Sequence, residues 1–332
     1  MKESFKAFRL DKHGERFSAQ VEKLSLEELP DSEVLIEVHY SSVNYKDALA
    51  SVANSTIVKE YPFIPGIDLA GVVVKSKDKR FKPGDEVIAT SFQIGVSHFG
   101  GYSEYASIPA DWIVPLPKGM TLQESMIFGT AGFTAALSIH RLEEVGLTTE
   151  KGKVLVTGAT GGVGSMAVAM LNKLGYHVVA STGKESAHDF LYKLGAKEVV
   201  SREYVYQEKI RALDKQEWVA AVDSVGGHPL ASILSKIDYG GAVAVSGLTG
   251  GTDVPTAVFP FILRGVSLLG VDSAYCPLPL RQQLWQRMAT ELKPLYLQEY
   301  LSTEITLEQL PDTLANLLQA KAQGRTIVNV RK

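Results

Sequence analysis

The residues of this chain best suited to chemistry lie between Lys153 and Gly175. A β-branched run, Val154 to Thr157, enters the turn Gly-Ala-Thr-Gly-Gly-Val-Gly, residues 158–164. Glycines let a backbone approach a pyrophosphate, and the N-terminus of a following helix offers it free N–H groups. Gly161 and Gly164 keep the register of a dinucleotide fingerprint, while Ala159 stands where its first glycine would be. The same turn would also serve as a strand-to-helix connection without a ligand. About 20 residues further on, such sites usually place an acid to hold the ribose 2′-hydroxyl. Here that position reads Ser181-Thr182-Gly183-Lys184, with Arg202 just past the next predicted strand. Hydroxyls and cations suit a 2′-phosphate, which an acid would repel. The plainer alternative has Thr182 and Lys184 merely opening the next surface helix.

The elements around these residues support the nucleotide reading. Apolar residues at 163, 166, 167, 170, 171 and 174 share one helix face, closed by Gly175. From Lys153 onward strands and helices alternate, with strands expected at 153–157, 176–181, 197–201, 218–223, 241–246 and 267–271. Six strands with crossovers describe a doubly wound parallel sheet. Asp223–Gly227, Ser246–Gly250 and Gly270–Ser273 put small or hydroxyl residues beyond apolar strands, where ligands of such sheets bind. Residues 1 to about 125 read instead as short strands, including 34–40, 69–74 and 86–89, punctuated by Pro, Gly and Asp. Thr121-Leu-Gln-Glu124 fits a capping box that opens a helical stretch. Near the end, 307–320 reads as a helix and 326–330 as a strand. A complete six-stranded sheet has no slot for that strand, so it is assigned to the first domain.

Composition narrows the function classes. The chain has 332 residues, 45% hydrophobic and 21% charged, with a net charge of −3. That balance suits a soluble globular protein and offers nothing to a nucleic acid. One cysteine, Cys276, rules out an internal disulfide and a cysteine-rich zinc site, and fits a reducing compartment. The N-terminus lacks a secretory h-region, and no apolar run of about 18 residues could span a bilayer. The expected location is the cytoplasm. There is no Gly-x-Ser-x-Gly elbow, no P-loop, and no tyrosine with a lysine four residues later. The seven histidines show no metal-ligand spacing.

Several motifs resemble the medium-chain dehydrogenase/reductase superfamily: Pro65-Gly-Ile-Asp-Leu-Ala-Gly71, Lys82-Pro-Gly-Asp85, Thr130-Ala-Gly-Phe-Thr-Ala135 and the 159–164 turn. In that superfamily alanine commonly replaces the first fingerprint glycine. The resemblance covers the whole chain and implies an α/β protein of two domains. A GroES-like β-rich catalytic domain would span 1–125, completed by 296–332, and a Rossmann NADP-binding domain 126–295. The zinc alcohol dehydrogenases carry Gly-His-Glu where this chain has Gly66-Ile67-Asp68, and their catalytic and structural cysteines are missing. The match is therefore to the zinc-free quinone reductase branch, with no metal expected. Asn44-Tyr-Lys-Asp47, Gly240-Gly241, Pro260-Phe-Ile-Leu-Arg264 and Gly270-Val-Asp-Ser273 are similar to the YhdH/YhfP-type quinone oxidoreductases, which include NADPH-dependent acryloyl-CoA reductases.

Position by position, the resemblance implies NADPH contacts at Tyr45, Thr160, Gly161, Gly162, Val163, Thr182, Gly183, Lys184, Arg202, Leu248, Ile262 and Ser273. It implies a homodimer paired through Ser267–Val271. It also implies reduction of an activated carbon–carbon double bond, in a short enoyl-CoA ahead of a quinone. Such a reaction builds charge on a carbonyl oxygen and needs donors there, then a proton at the α-carbon. Asn44, Tyr45, Lys46 and Asp47 are the candidate catalytic residues, since they offer an amide, a phenol and an ammonium together. Tyr45 is the expected donor, oriented by Asn44 and Lys46. The plainer alternative has Asn44 shaping a turn, with Lys46 and Asp47 in solvent. A redox-inactive NADPH-binding sensor or an accumulated soluble protein is the competing function, and the Asn44–Asp47 stretch argues against it.

Overall fold

The fold, taken from a computed structural model, is described for residues 4–332 apart from 207 and 296. The chain divides into two units. The first is Met1–Thr130 with Ala274–Ala289 and Leu301–Lys332; the second is Ala131–Ser273 with Thr290–Tyr300. This division differs from the expected boundaries after 125 and 295, because 126–130 and 274–289 join the first unit and 296–300 the second. Arg281 shows why the second piece does so: its guanidinium lies in the first unit, donating to Thr90 O at 3.3 Å and Ala274 O at 3.0 Å.

In order, the chain forms β1 (Ser4–His13), β2 (Arg16–Ser25), β3 (Val34–Ser42), α1 (Tyr45–Ala50), β4 (Asp68–Ser76), β5 (Glu86–Thr90), β6 (Tyr105–Ile108), β7 (Ile113–Pro115) and α2 (Leu122–Glu144). Then come β8 (Lys153–Val156), α3 (Gly162–Lys173), β9 (His177–Thr182), α4 (His188–Lys193), β10 (Glu198–Ser201), α5 (Arg202–Val205), β11 (Trp218–Asp223), α6 (Gly227–Lys236), β12 (Ile237–Val245), α7 (Phe259–Arg264) and β13 (Ser267–Gly270). The chain ends with α8 (Leu278–Ala289), α9 (Leu297–Leu301), β14 (Ser302–Ile305), α10 (Leu310–Leu318) and β15 (Arg325–Asn329).

In the first unit the strand order is β14-β15-β3-β4-β5-β7, with β6 paired to β3. The final strand does return to this unit, where Ile327 of β15 faces Ser42 of β3 in antiparallel register. Val34, Ile36 and Val38 of β3 and Val328 of β15 lie in one apolar core with Leu69, Val73, Val87 and Ile108. The hairpin β1–β2 forms a separate two-stranded sheet that the sequence reading did not single out. Lys6, Arg9 and Asp11 interrupt its apolar residues, which weakens the alternation that would mark it. Thr121 and Glu124 form the expected capping box, Thr121 N donating to Glu124 at 2.9 Å and Glu124 N to Thr121 at 3.1 Å. The helix that follows breaks at Gly129, at φ 50° and ψ −157°, a conformation that suits only glycine.

The second unit holds one parallel sheet of order β10-β9-β8-β11-β12-β13. This is the doubly wound arrangement, with the order reversing beside β8. Its strands are apolar runs buried on both faces: Val154, Leu155, Val156, Ala220, Ala221, Val222, Val243 and Ala244 are all at most 1% exposed. The sheet brings the ends of β8, β9, β10, β11 and β12 to a common edge, which is where the predicted nucleotide residues fall.

Candidate active site

The candidate nucleotide site belongs to the second unit. β8 ends at Val156 and runs into Thr157 and Gly158, and Gly161 caps α3. Gly158 has φ 55°, and a Cβ on it would sit 2.6 Å from Ser224 Oγ. A Cβ on Gly164 would lie 2.3 Å from Gly158 O and 2.7 Å from Ala159 Cα, so α3 packs onto its own turn only because this residue is glycine. The turn closes through Gly161 N donating to Gly158 O at 2.9 Å. The amides of 162–164 open α3 and have no partner within it, which makes this end attractive to an anion. Thr160 is buried beside them.

Buried Asp223, at the end of β11, ties this turn to its neighbour. It accepts from Thr157 Oγ1 at 2.5 Å and from Gly226 N at 2.7 Å. Burial raises its pKa above the usual carboxylate range. Ser224 Oγ donates in turn to Thr157 O at 3.0 Å.

At the end of β9, Thr182 is buried and its hydroxyl accepts from Lys184 N at 3.1 Å. Arg202 opens α5, and its guanidinium lies directly on Gly183. A Cβ there would meet Arg202 Nε at 2.2 Å and Nη2 at 2.3 Å. Thr182, Gly183, Lys184 and Arg202 therefore come together. Ser273 is tied to α2, accepting from Thr134 Oγ1 at 2.8 Å. Leu248 and Ile262 are 66% and 68% exposed, on the loop after β12 and on α7. The structure shows no contact drawing either to the cationic corner.

The candidate catalytic stretch belongs to the first unit. Asn44 caps α1, where Asn44 and Asp47 form a capping box. Tyr45 and Lys46 are exposed on the first turn. Asp47 is fully buried, which corrects the alternative that placed it in solvent. It accepts from Asn44 N at 2.8 Å and from Ile67 N at 2.9 Å, the bonds that draw it inward. Its pKa is raised to about 7, first by burial and then by the nearby Asp68.

Behind this helix lies a polar cluster that sequence reasoning missed. Asp68 accepts from Ser42 Oγ at 2.5 Å, Asn44 Nδ2 at 2.8 Å, Thr130 N at 2.9 Å and Thr130 Oγ1 at 2.5 Å. Thr130 has one hydroxyl proton, and it goes to Asp68. Ser91 is thus the donor in its 2.9 Å contact with Thr130 Oγ1. Arg325 is 3% exposed and donates to Ser42 Oγ at 2.9 Å, Asn44 Oδ1 at 3.2 Å, Val43 O at 3.1 Å and Ile127 O at 2.9 Å. Burial lowers its pKa, opposed by Asp68 and Asp47. Tyr102, fully buried, donates to Ser42 O at 3.2 Å, and burial together with Asp47 holds its pKa well above the usual phenol value. A Cβ on Gly129 would strike Asp68 Oδ2 at 2.5 Å and Ser42 Oγ at 2.6 Å, so a glycine is what fits against the cluster at the break in α2. Ser91 and Phe92 both take left-handed φ values, 67° and 49°. Such backbone is costly outside glycine, and it is held here by Phe92 stacked on Trp112 and by the Arg281 guanidinium 4.4 Å from the Phe92 ring.

The signal that could have exposed the cluster is a lone charge in an apolar strand: Asp68 beside Ile67 and Leu69, and Arg325 at the head of β15. Such charges stay buried only where partners satisfy them. A zinc ion does not fit these residues. Apolar Ile67 stands beside Asp68, whose oxygens are taken by four donors, and Cys276 is buried. Among the described residues no three His, Cys, Asp or Glu side chains are grouped so as to hold a metal.

Comparisons with known proteins agree with this architecture. Residues 30–118 match the alcohol dehydrogenase GroES-like domain, and residues 162–292 the family described as zinc-binding dehydrogenase. YhfP of Bacillus subtilis, named as a quinone oxidoreductase, is 59% identical over 98% of this chain and 99% of its own. Its crystal structure with NAD bound superposes with a TM-score of 0.97 over 99% of this chain and 100% of that one. The acrylyl-CoA reductase AcuI of Ruegeria pomeroyi is 46% identical over 98% of this chain and 99% of its own. The yhdH oxidoreductase of Salmonella enterica in complex with NADP is 44% identical, with a TM-score of 0.95 over 98% of this chain and 100% of that one.

Proposed function

Because the chain belongs to the quinone oxidoreductase branch of the medium-chain dehydrogenase/reductase superfamily, together with YhfP and AcuI, we propose that it is a zinc-independent, NADPH-dependent reductase of activated carbon–carbon double bonds. The preferred substrate is a short enoyl thioester such as acryloyl-CoA, with quinones as the second class. The observation that carries the cofactor reading is the corner at Gly183, where Arg202 and Lys184 flank the end of β9 and no acid occupies 181–184. The 162–164 amides would hold the pyrophosphate, and Thr182, Lys184 and Arg202 the 2′-phosphate. Bound NADPH supplies the hydride for the β-carbon of the double bond.

The chain's own part is to hold donors where charge develops and to deliver a proton. Asn44 is fixed by Asp68 and Arg325, so the backbone entering α1 has little freedom and Tyr45 starts from a set position. Its phenol is the proposed donor to the charged oxygen and the proton source for the α-carbon. Lys46 is exposed beside it, available to an acidic portion of the substrate.

We also read the protein as a cytoplasmic homodimer. No helix among the described residues is long and apolar enough to cross a membrane. β13 is an edge strand of the six-stranded sheet, and its Leu268 is 40% exposed, which suits pairing with a second copy. The test of the whole reading is NADPH oxidation by the purified protein with acryloyl-CoA and a quinone panel. Turnover of acryloyl-CoA should exceed that of any quinone, and Tyr45→Phe should lower it roughly 10²–10³-fold with little effect on NADPH binding. Tight NADPH binding with no turnover would make the protein a binder, and faster quinone reduction would reverse the substrate order.

A further inference from the structure

Helix α5 is only four residues long, yet it carries Arg202. A helix so short has little stability of its own, so something outside it must fix its position. At its N-terminus the Ser201 hydroxyl accepts from Tyr204 N at 3.3 Å. Its carbonyl end is held by Lys236, the last residue of α6. Lys236 is 5% exposed, and its Nζ donates to Tyr204 O and to Val205 O, each at 3.0 Å. The ammonium also lies 5.5 Å from the Trp218 ring centroid and 5.8 Å from that of Tyr204. Ser232 Oγ adds a bond to Val205 O at 3.2 Å, and the Val205 side chain enters the apolar core beside Trp218.

An ammonium is an expensive group to bury, and a leucine or methionine would fill this space at lower cost. What those residues cannot do is bind two successive carbonyls at the end of α5. We propose that Lys236 is a positioning residue for cofactor selection: it fixes α5 and thereby seats the Arg202 guanidinium on Gly183, where a 2′-phosphate is read. The inference rests on the NADPH reading above. Gly183 completes the arrangement, since the guanidinium occupies the space that any side chain there would take.

The test is equilibrium binding of NADPH, NADH and the fragment 2′,5′-ADP, measured by calorimetry on the full-length protein. Arg202→Ala should weaken NADPH and 2′,5′-ADP by about 10- to 100-fold, the worth of one charge-assisted contact, and leave NADH within about twofold. Lys236→Met should weaken NADPH and 2′,5′-ADP by about five- to tenfold, again sparing NADH. Placed in the Arg202→Ala background, Lys236→Met should change NADPH affinity no further, because residues that act through one another are not additive. Lys236→Arg, which keeps a cation and several donors, should recover most of the affinity. Should the methionine variant fail to fold, Lys236→Gln carries the same comparison with a smaller shift. Equal weakening of NADPH and NADH, or a Lys236 effect that persists without Arg202, would overturn the inference. An Arg202→Ala protein with an unchanged NADPH-to-NADH ratio would instead overturn the cofactor reading on which it stands.

Discussion

The two candidate sites, one in each unit, are built from different materials. The nucleotide site in the second unit is mostly backbone: a glycine turn, the opening amides of α3, and loops locked together by Asp223. The catalytic stretch in the first unit is mostly side chain. Asp47, Asp68, Arg325, Tyr102, Ser42 and Thr130 surround the cap of α1, nearly all of them out of solvent. A backbone site depends on the absence of side chains, so its vulnerabilities are added atoms. A buried polar cluster depends on every partner being present, so its vulnerabilities are lost ones.

The largest effect should come from removing the cation. Arg325→Met leaves Asp68 and Asp47 buried without a countercharge, and breaking such a set typically costs about 3–5 kcal/mol. Chemical denaturation should show the first unit destabilised by that amount while 2′,5′-ADP binding survives. A variant as stable as the parent would show that the hydrogen bonds to Asp68, and not the guanidinium, hold the cluster.

Asp47→Asn should have a smaller, pH-dependent signature. The folded pKa of Asp47, about 7, lies above its unfolded value near 3.8, so folding takes up a proton between them. That contribution is fully present below about pH 4 and is lost as pH rises through about 7. Relative to the asparagine variant, the wild type should lose stability with rising pH across this window, by at most about 1.4 kcal/mol per pH unit. Asp68, Arg325 and Tyr102, the other titratable groups facing Asp47, are present in both proteins. Parallel stability–pH curves would mean that Asp47 is already ionised throughout.

The smallest effect probes the backbone site. In Gly164→Ala the new methyl meets main-chain atoms at 2.3 and 2.7 Å, so the turn itself must shift. Overpacking of this kind costs typically about 1–3 kcal/mol, and NADPH affinity should fall with it. Gly161→Ala, whose nearest contact is 3.3 Å, should be milder in both respects. If the two variants behave alike, close packing of α3 on its turn is not what shapes this site.

The same contrast explains what could be read from the sequence. The six strands of the second unit announce themselves as apolar runs such as Val154–Val156 and Ala220–Val222, and the glycine turn is contiguous. Thr182, Lys184 and Arg202 follow from where the second and third strands end. The cluster has no local signature, because its members come from 42–47, 68, 102, 130 and 325. Asp68 is legible only as part of a motif whose neighbouring ligand is missing, and Arg325 only as the residue before a strand. Gly129 sits inside helical spacing, and nothing in the sequence shows that it breaks the helix. β14, Ser-Thr-Glu-Ile, has too little apolar patterning to declare itself.

The place of Arg325 in the chain also sets an order of events during synthesis. The acids of the cluster leave the ribosome early, and the cation that compensates them follows much later, in β15. Until β15 emerges, the first unit lacks both an inner strand of its sheet and the counterpart of two sequestered carboxylates. The six-stranded sheet of the second unit, by contrast, lies wholly within 153–270 and is complete long before. Arg325→Met reproduces in the finished protein the charge imbalance of that unfinished chain. Its measured destabilisation therefore also gauges how strongly the newborn first unit depends on β15.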